Sequence, residues 1–273
     1  IINTLIKGNS NAFRRWSMGM PPSRLGSSYI NFLANHDGLG LRPLEGILNT
    51  KDLEIFLNTL KKFDSKFTYR KHKNQSVVYE ANISLIDSLS GTVKGRDNFA
   101  LKRFICAHAI MLSYEGVPAI YIHSLFGTKN DKELYKKTKI KRSVNRGIYK
   151  YETLTQHIDN KESRLSLIFF KLIEIINIRK KQKAFHPNST QYTLNLGKNF
   201  FGLWRQSYDK QQSIFAISNI TNKTLYLDIN ILNIINTERW FDILDKKNIK
   251  NELKKGRLKF LPYQSCWITN KND

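Results

Sequence analysis

Residues 31–38 read Asn31-Phe32-Leu33-Ala34-Asn35-His36-Asp37-Gly38. With Tyr29 and Ile30 ahead of it, the apolar run Tyr29–Ala34 has the length and composition of a short strand. Asn35-His36-Asp37-Gly38 then stops it with turn-forming residues. In a βα barrel, active-site groups sit at the C-terminal ends of the strands, so a strand that ends on His36-Asp37 points to chemistry at that spot. Read alone, Asp-Gly after a strand is also ordinary turn chemistry. The segments around it therefore decide the reading.

Upstream, residues 1–28 are mostly polar, with a Pro21-Pro22 break. Downstream, residues 39–50 read as loop. Asp52 is expected to cap a helix carrying Leu53, Phe56, Leu57, Leu60 and Phe63 on one face. Residues 64–76 are basic and predict an exposed excursion. Val77–Asn82 is extended, and Ile83–Ser90 predicts a helical turn. Asp97 is expected to cap a helix from Asn98 to about Tyr114, and Ala119–Ile122 reads as a buried strand. Residues 123–161 are polar, Lys-rich loop, and Ser163 opens the longest helix, to about Lys183. Beyond Pro187 period-2 strands take over: Tyr192–Leu196, Phe200–Gln206, Ser213–Ser218, Leu225–Ile231, Arg257–Leu261 and Cys266–Thr269, with Gly197-Lys198-Asn199 as a hairpin turn. The expected fold class is α/β. A partial (β/α)8 barrel over 1–184, with an excursion at about 39–91, precedes an antiparallel β domain over 185–273.

The chain has 273 residues, 41% of them hydrophobic, enough to bury a sizeable core. No stretch of about 18 apolar residues occurs, so no membrane span is expected. Residue 1 is Ile and no basic segment leads into an apolar run there, so no secretory signal is expected. Cys106 and Cys266 lie far apart in apolar contexts, the pattern of buried thiols in a reducing, cytoplasmic compartment. Sequons at Asn82, Asn188, Asn219 and Asn222 carry little weight in a chain so rich in Asn. The formal net charge is +23. Its positive charges are scattered in pairs such as Lys61-Lys62, Lys136-Lys137 and Lys254-Lys255, without a recognition-helix or zinc pattern. We read a solvated basic surface, with neither nucleic acid nor membrane as partner.

Four segments in order resemble one family. They are NFLANHDGLGLRPLEGIL (31–48), YEANISLIDSLSG (79–91), RFICAHAIMLSYEGVPAIYIHSLFGTKND (103–131) and RSVNRGIY (142–149). They resemble glycoside hydrolase family 13, the α-amylase superfamily, in its sucrose phosphorylase and glucosylglycerate phosphorylase group. The closing LPYQSCWIT (261–269) looks like the last strand of that group's C-terminal β domain.

The resemblance implies retaining α-glucosyl transfer, most simply phosphorolysis of a small α-glucoside of sucrose or glucosylglycerate type, with inorganic phosphate as second substrate and no cofactor or metal. Asp37 matches the third catalytic carboxylate, which stabilises the oxocarbenium-like transition state. His36 matches a sugar-binding His, and Arg142 an Arg that contacts the glucosyl unit. Tyr79 and Glu80 match a mobile loop at the acceptor site. Members that use sucrose tend to have Gln where Glu80 stands, which argues for an acceptor other than fructose. Arg42, just past the His-Asp pair, suits bidentate anion binding. Asn130-Asp131 reads as loop structure. The family's nucleophile and acid/base sit on the fourth and fifth barrel strands, which would precede residue 1, and residues 1–36 contain no Asp or Glu. A retaining mechanism needs both groups about 5 Å apart. The chain therefore reads as a C-terminal fragment, inactive without the N-terminal half of the barrel. Two other functions fit the same residues: an α-glucosidase-type hydrolase of the family, and a non-catalytic basic module that holds glycan or nucleic acid.

Overall fold

A computed structural model describes residues 1–24, 26–72, 75–234 and 239–271. Its first part opens with helices α1 (Ile2–Lys7) and α2 (Asn11–Met18). Strand β1 (Ile30–Asn31) then pairs in parallel with β7 (Val117–Pro118), Ile30 opposite Val117. Between them lies an excursion. Strands β2 (Leu39–Gly40), β3 (Lys66–His72) and β4 (Gln75–Asn82) form an antiparallel sheet in the order β2-β4-β3. Helix α3 (Thr50–Lys62) is inserted between β2 and β3. The short helix α4 (Leu85–Ser88), the hairpin β5 (Gly91–Thr92) and β6 (Gly95–Arg96), and helix α5 (Ala100–Ser113) lead back to β7. After β7 come α6 (Ile122–Leu125), α7 (Lys132–Thr138), a 3-10 segment Lys141–Asn145, α8 (Tyr151–Asp159) and the long α9 (Arg164–Lys181).

The rest is β structure. Strands β8 (Thr190–Thr193), β9 (Phe200–Gln206), β10 (Ser213–Asn219), β12 (Phe241–Asp242), β13 (Lys247–Asn248) and β16 (Ser265–Thr269) form one antiparallel sheet in the order β13-β12-β16-β10-β9-β8. A smaller sheet, β11-β15-β14, is built from β11 (Leu225–Asp228), β14 (Leu253–Lys254) and β15 (Arg257–Phe260), with the short helix α10 (Ile249–Glu252) leading into β14. Successive side chains of a strand point to opposite faces, and β10 uses both. Phe215 and Ile217 join Cys266 and Ile268 of β16 in a core against Leu227, Leu258 and Phe260 of the smaller sheet. Ile214, Ala216 and Trp267 face the other way, onto Met111 and Leu112 of α5 and Ile175 of α9. This explains the unbroken apolar run of β10: a strand covered on both faces has no polar side.

Several sequence expectations are corrected. Asn49, not Asp52, caps α3: its side chain accepts from the Asp52 N–H, and Asp52 sits in the first turn where a carboxylate favours the helix dipole. The basic excursion 64–76 is mostly β3 and the start of β4, with residues 73–74 outside the described residues. Lys66, Arg70 and Lys71 lie on a strand whose ladder, not its side chains, supplies the order. Phe99 precedes α5, and the Asp97 carboxylate accepts from the Phe99 N–H and receives Arg103 at 2.6 and 2.8 Å. The strand expected at Ala119–Ile122 lies two residues earlier. Pro118 offers no N–H to a ladder, the Ala119 N–H makes a last bond to the Asn31 carbonyl, and the chain then turns into α6. Residues 123–161 hold three helices and a 3-10 segment in place of loop. The expected tight turn at 197–199 is the wider connection 194–199 between β8 and β9. The strand begun at Leu225 ends at Asp228, whose side chain caps a 3-10 turn.

Candidate active site

The turn after β1 is held from three directions. Asn35 and Gly38 exchange backbone bonds at 3.0 and 3.1 Å, and the Asn35 side chain accepts from the Asp37 N–H at 2.8 Å. From β4, the Asn82 amide donates to the Asp37 carbonyl at 2.8 Å. From the 3-10 segment, the Asn145 amide donates to the Asn35 carbonyl at 2.6 Å. Gly38 has φ +109, and a Cβ there would overlap the Ala81 carbonyl of β4, so glycine is required by both conformation and space. Asparagine amides suit this work because each offers two donors and an acceptor to the backbone groups of the turn.

Side-chain nitrogens gather around Asp37 Oδ1. Arg146 lies at 2.7 Å, Arg142 Nε at 3.2 Å and His36 Nε2 at 3.4 Å. No hydrogen bond among the described residues reaches Asp37 Oδ2. Arg142 also forks onto Glu80, at 2.7 Å to Oε1 and 3.1 Å to Oε2, and this pairing raises the guanidinium's affinity for its proton. Glu80 is buried and receives the Asn82 amide at 3.3 Å. Tyr79, beside it, is exposed. A cleft of about 190 Å³ is lined by Asn35, Asp37, Gly40, Arg42, Pro43, Tyr79 and Glu80. Its anion is preorganised by fixed donors, the arrangement that stabilises positive charge developing on a bound ring at low reorganisation cost.

The structure thus brings Asp37, His36, Arg142, Glu80, Tyr79 and Arg42 to one mouth. Tyr79 and Glu80, expected on a loop, lie in β4, Glu80 paired with Gly40 and Thr68. Glu80 is committed to Arg142. Asp131 caps α7 and Asn130 bonds Ser84 and Asp87, the structural parts expected of them. Sequence reasoning missed Arg146, which approaches Asp37 more closely than Arg142 does. It also missed Asn145 and Tyr121, whose hydroxyl donates to the Asn145 carbonyl at 2.8 Å. Arg146 follows Arg142 by four residues in one short segment, a spacing that could have flagged both. No group of three or more metal-ligating side chains occurs among the described residues, and no described helix is long and apolar enough to cross a membrane.

No family model matches the chain. Among curated proteins it is similar to glucosylglycerate phosphorylases. The protein from Spirochaeta thermophila is 29% identical over 222 residues, covering 81% of this chain and 38% of the relative. That from Escherichia coli is 29% identical over 255 residues, covering 88% and 45%. That from Allomeiothermus silvanus is 27% identical over 269 residues, covering 98% and 45%. The chain is thus similar to the glucosylglycerate and sucrose phosphorylases, the group that its motifs resemble. It spans less than half the length of these relatives. A solved structure of sucrose 6F-phosphate phosphorylase from Thermoanaerobacter thermosaccharolyticum superposes with a TM-score of 0.65 at 19% identity, over 80% of this chain and 41% of that one. The likeness shows the fold: β1 and β7 are neighbouring strands of the C-terminal part of a (β/α)8 barrel, followed by the antiparallel β domain.

Proposed function

We propose that this chain supplies the sugar-holding side of a retaining α-glucosyl transferase that cleaves a small α-glucoside, of glucosylglycerate or sucrose type, with inorganic phosphate. The observation that carries the reading is Asp37, at the C-terminal end of a barrel strand, with Oδ1 held by Arg142 and Arg146 and Oδ2 uncommitted. In this reading Oδ2 accepts from sugar hydroxyls while Oδ1 stays fixed by Arg142 and Arg146. His36, largely exposed beside it, donates to a further hydroxyl, and Arg142 and Arg146 frame the glucosyl unit. Glu80 positions Arg142, and Tyr79 and Arg42 face the acceptor. A nucleophilic carboxylate from the rest of the barrel displaces the leaving group, whose oxygen takes a proton from the acid/base residue. Phosphate then attacks the glucosyl ester and releases α-glucose 1-phosphate.

The same reading divides the chain into barrel residues 1–184 and β-domain residues 185–273. It is supported by the change from α9 to the sheet that starts at Thr190, although Phe201, Leu203, Ile220 and Tyr263 pack into the first part's core. We place the protein in the cytoplasm, supported by Cys106 and Cys266, both free and buried.

The test joins this chain to the N-terminal part of a glucosylglycerate phosphorylase and follows glucose 1-phosphate. Release that requires phosphate supports the proposal; equal glucoside cleavage in phosphate-free buffer, yielding glucose, makes the enzyme a hydrolase. Asp37→Asn keeps the size but removes the charge, and is expected to slow donor cleavage by about 10²–10³-fold. Cleavage at the parental rate would reduce Asp37 to a turn residue. The chain without its complement is expected to form no glucose 1-phosphate.

A further inference from the structure

Four guanidiniums stand on the elements that build this end of the molecule, and three of them are paired. Arg142 forks onto Glu80, Arg146 closes on Asp37, and Arg70 of β3 holds Glu45 at 2.7 Å. Arg42 differs: among the described residues its guanidinium has no hydrogen-bond or ion-pair partner. The cleft is lined by the carboxylates of Asp37 and Glu80 and the guanidinium of Arg42; Arg142 and Arg146 neutralise the two carboxylates and leave Arg42 as the unpaired cation of the lining among the described residues.

That excess charge is firmly mounted. Arg42 begins a 3-10 turn, Arg42–Leu44, whose φ at the next residue is set by Pro43. Leu41 is buried, and its N–H bonds the Tyr79 carbonyl at 3.1 Å. Leu44 and Glu45 close the turn by bonding the carbonyls of Leu41 and Arg42 at 3.0 and 3.1 Å. Arg42 is thus tied to β4 through its neighbours while its own side chain is exposed at the mouth, beside Tyr79. A guanidinium offers a planar fork of donors that matches an oxyanion. An uncharged ligand would leave that fork and its charge unmet.

We propose that Arg42 reads the charge of the groups exchanged at the cleft: it holds a carboxylate on the leaving polyol, or phosphate in its turn, and so selects acidic acceptors over uncharged ones. This rests on the glucosyl-transfer reading above and specifies its acceptor. The probes are glycerate and glycerol, which share a skeleton and differ in the carboxylate, and inorganic phosphate. Each is titrated into the 273-residue chain and into its Arg42→Gln, Arg42→Lys and Arg70→Gln variants. We expect glycerate and phosphate to bind at least tenfold more tightly than glycerol. Arg42→Gln should abolish the difference, and Arg42→Lys should keep part of it by charge without the fork. Arg70→Gln, which removes a charge already neutralised by Glu45, should leave it intact. The same preference is read in the completed enzyme as the ratio of KM for glycerate to KM for glycerol when glucose 1-phosphate is the donor. A preference that survives Arg42→Gln overturns the proposal. So does an equal loss in Arg70→Gln, which would mean a diffuse basic field, or a loss confined to phosphate. Because the titrations need no turnover, they fail or succeed independently of the phosphorolysis assay.

Discussion

Glu80 and Arg142 are sixty-two positions apart, yet their fork is one of the better-formed contacts at the cleft. The pairing changes what Glu80 is for. A carboxylate with both oxygens engaged is a holder of Arg142, and the exposed Tyr79 and Arg42 are left to meet a ligand. A second carboxylate at the residue scale offers a test by pH. Asp242 of β12 is buried, and burial pushes its pKa up to about 6, even though it accepts from the backbone N–H groups of Trp267 and Leu244. The folded protein therefore binds a proton there that the unfolded chain, at the ordinary 3.8, has already lost. The stability from this proton is fully present below about pH 4 and is lost as pH rises through about 6. Asp242→Asn keeps the Oδ1 acceptor and removes the titration. Between pH 4 and 7 the variant should gain on the parent by about 2–3 kcal/mol, read as the difference between their unfolding midpoints. Parallel pH profiles for the two proteins would show that Asp242 is not the group responsible.

At the scale of elements, the active-site turn takes its shape from the hairpin beside it. Asn82 and Ala81 of β4 press directly against Asp37 and Gly38, so the excursion between β1 and β7 works as a wall for the turn. Gly38→Ala would force a Cβ into the Ala81 carbonyl at a positive φ. The cost expected is at least about 3 kcal/mol, from strain and displaced backbone together. Chemical denaturation measures it, and the shift of Asn35, Asp37 and Asn82 amide resonances should localise it. A loss under 1 kcal/mol would mean that β4 gives way easily and does not set the turn.

Across the whole molecule, the β sheet and the barrel helices are one packed body at their junction. Arg205 of β9 is buried there and donates to four carbonyls: Ser113 at the end of α5, His186, Ser189 and Thr190. No carboxylate hydrogen-bonds to it among the described residues, and burial together with the nearby Arg179 lowers its pKa to about 9. Its value lies in satisfying carbonyls at the junction, of which those of Ser113 and Ser189 are buried. Arg205→Met would strand them, and we expect a loss of roughly 3 kcal/mol or more. Fluorescence of Trp267, which sits against Phe185 in the same core, and far-ultraviolet circular dichroism should report one shared transition. Two separate transitions in the parent protein would mean that the junction is not a common core.

Much of this architecture was legible in the residues because it rests on local patterns. Apolar periodicity placed α3, α5 and α9. Strand-forming runs placed β9 and β10, and a strand stopped by Asn-His-Asp-Gly placed Asp37 at a strand end. Short elements were not legible in 123–161, where α6, α7 and α8 bury few apolar residues and so leave little periodic signal. Nor was the wiring of the site. Which arginine closes on Asp37, and whether Glu80 faces a ligand or a neighbour, depends on side chains brought together across sixty to one hundred and ten positions. The sequence by itself determined the longer elements, because hydrophobic spacing and turn chemistry act over a few residues. Only the tertiary structure decided which charges at the cleft pair with one another and that Arg42, among the described residues there, is left without a partner, because charge pairing depends on distance in space.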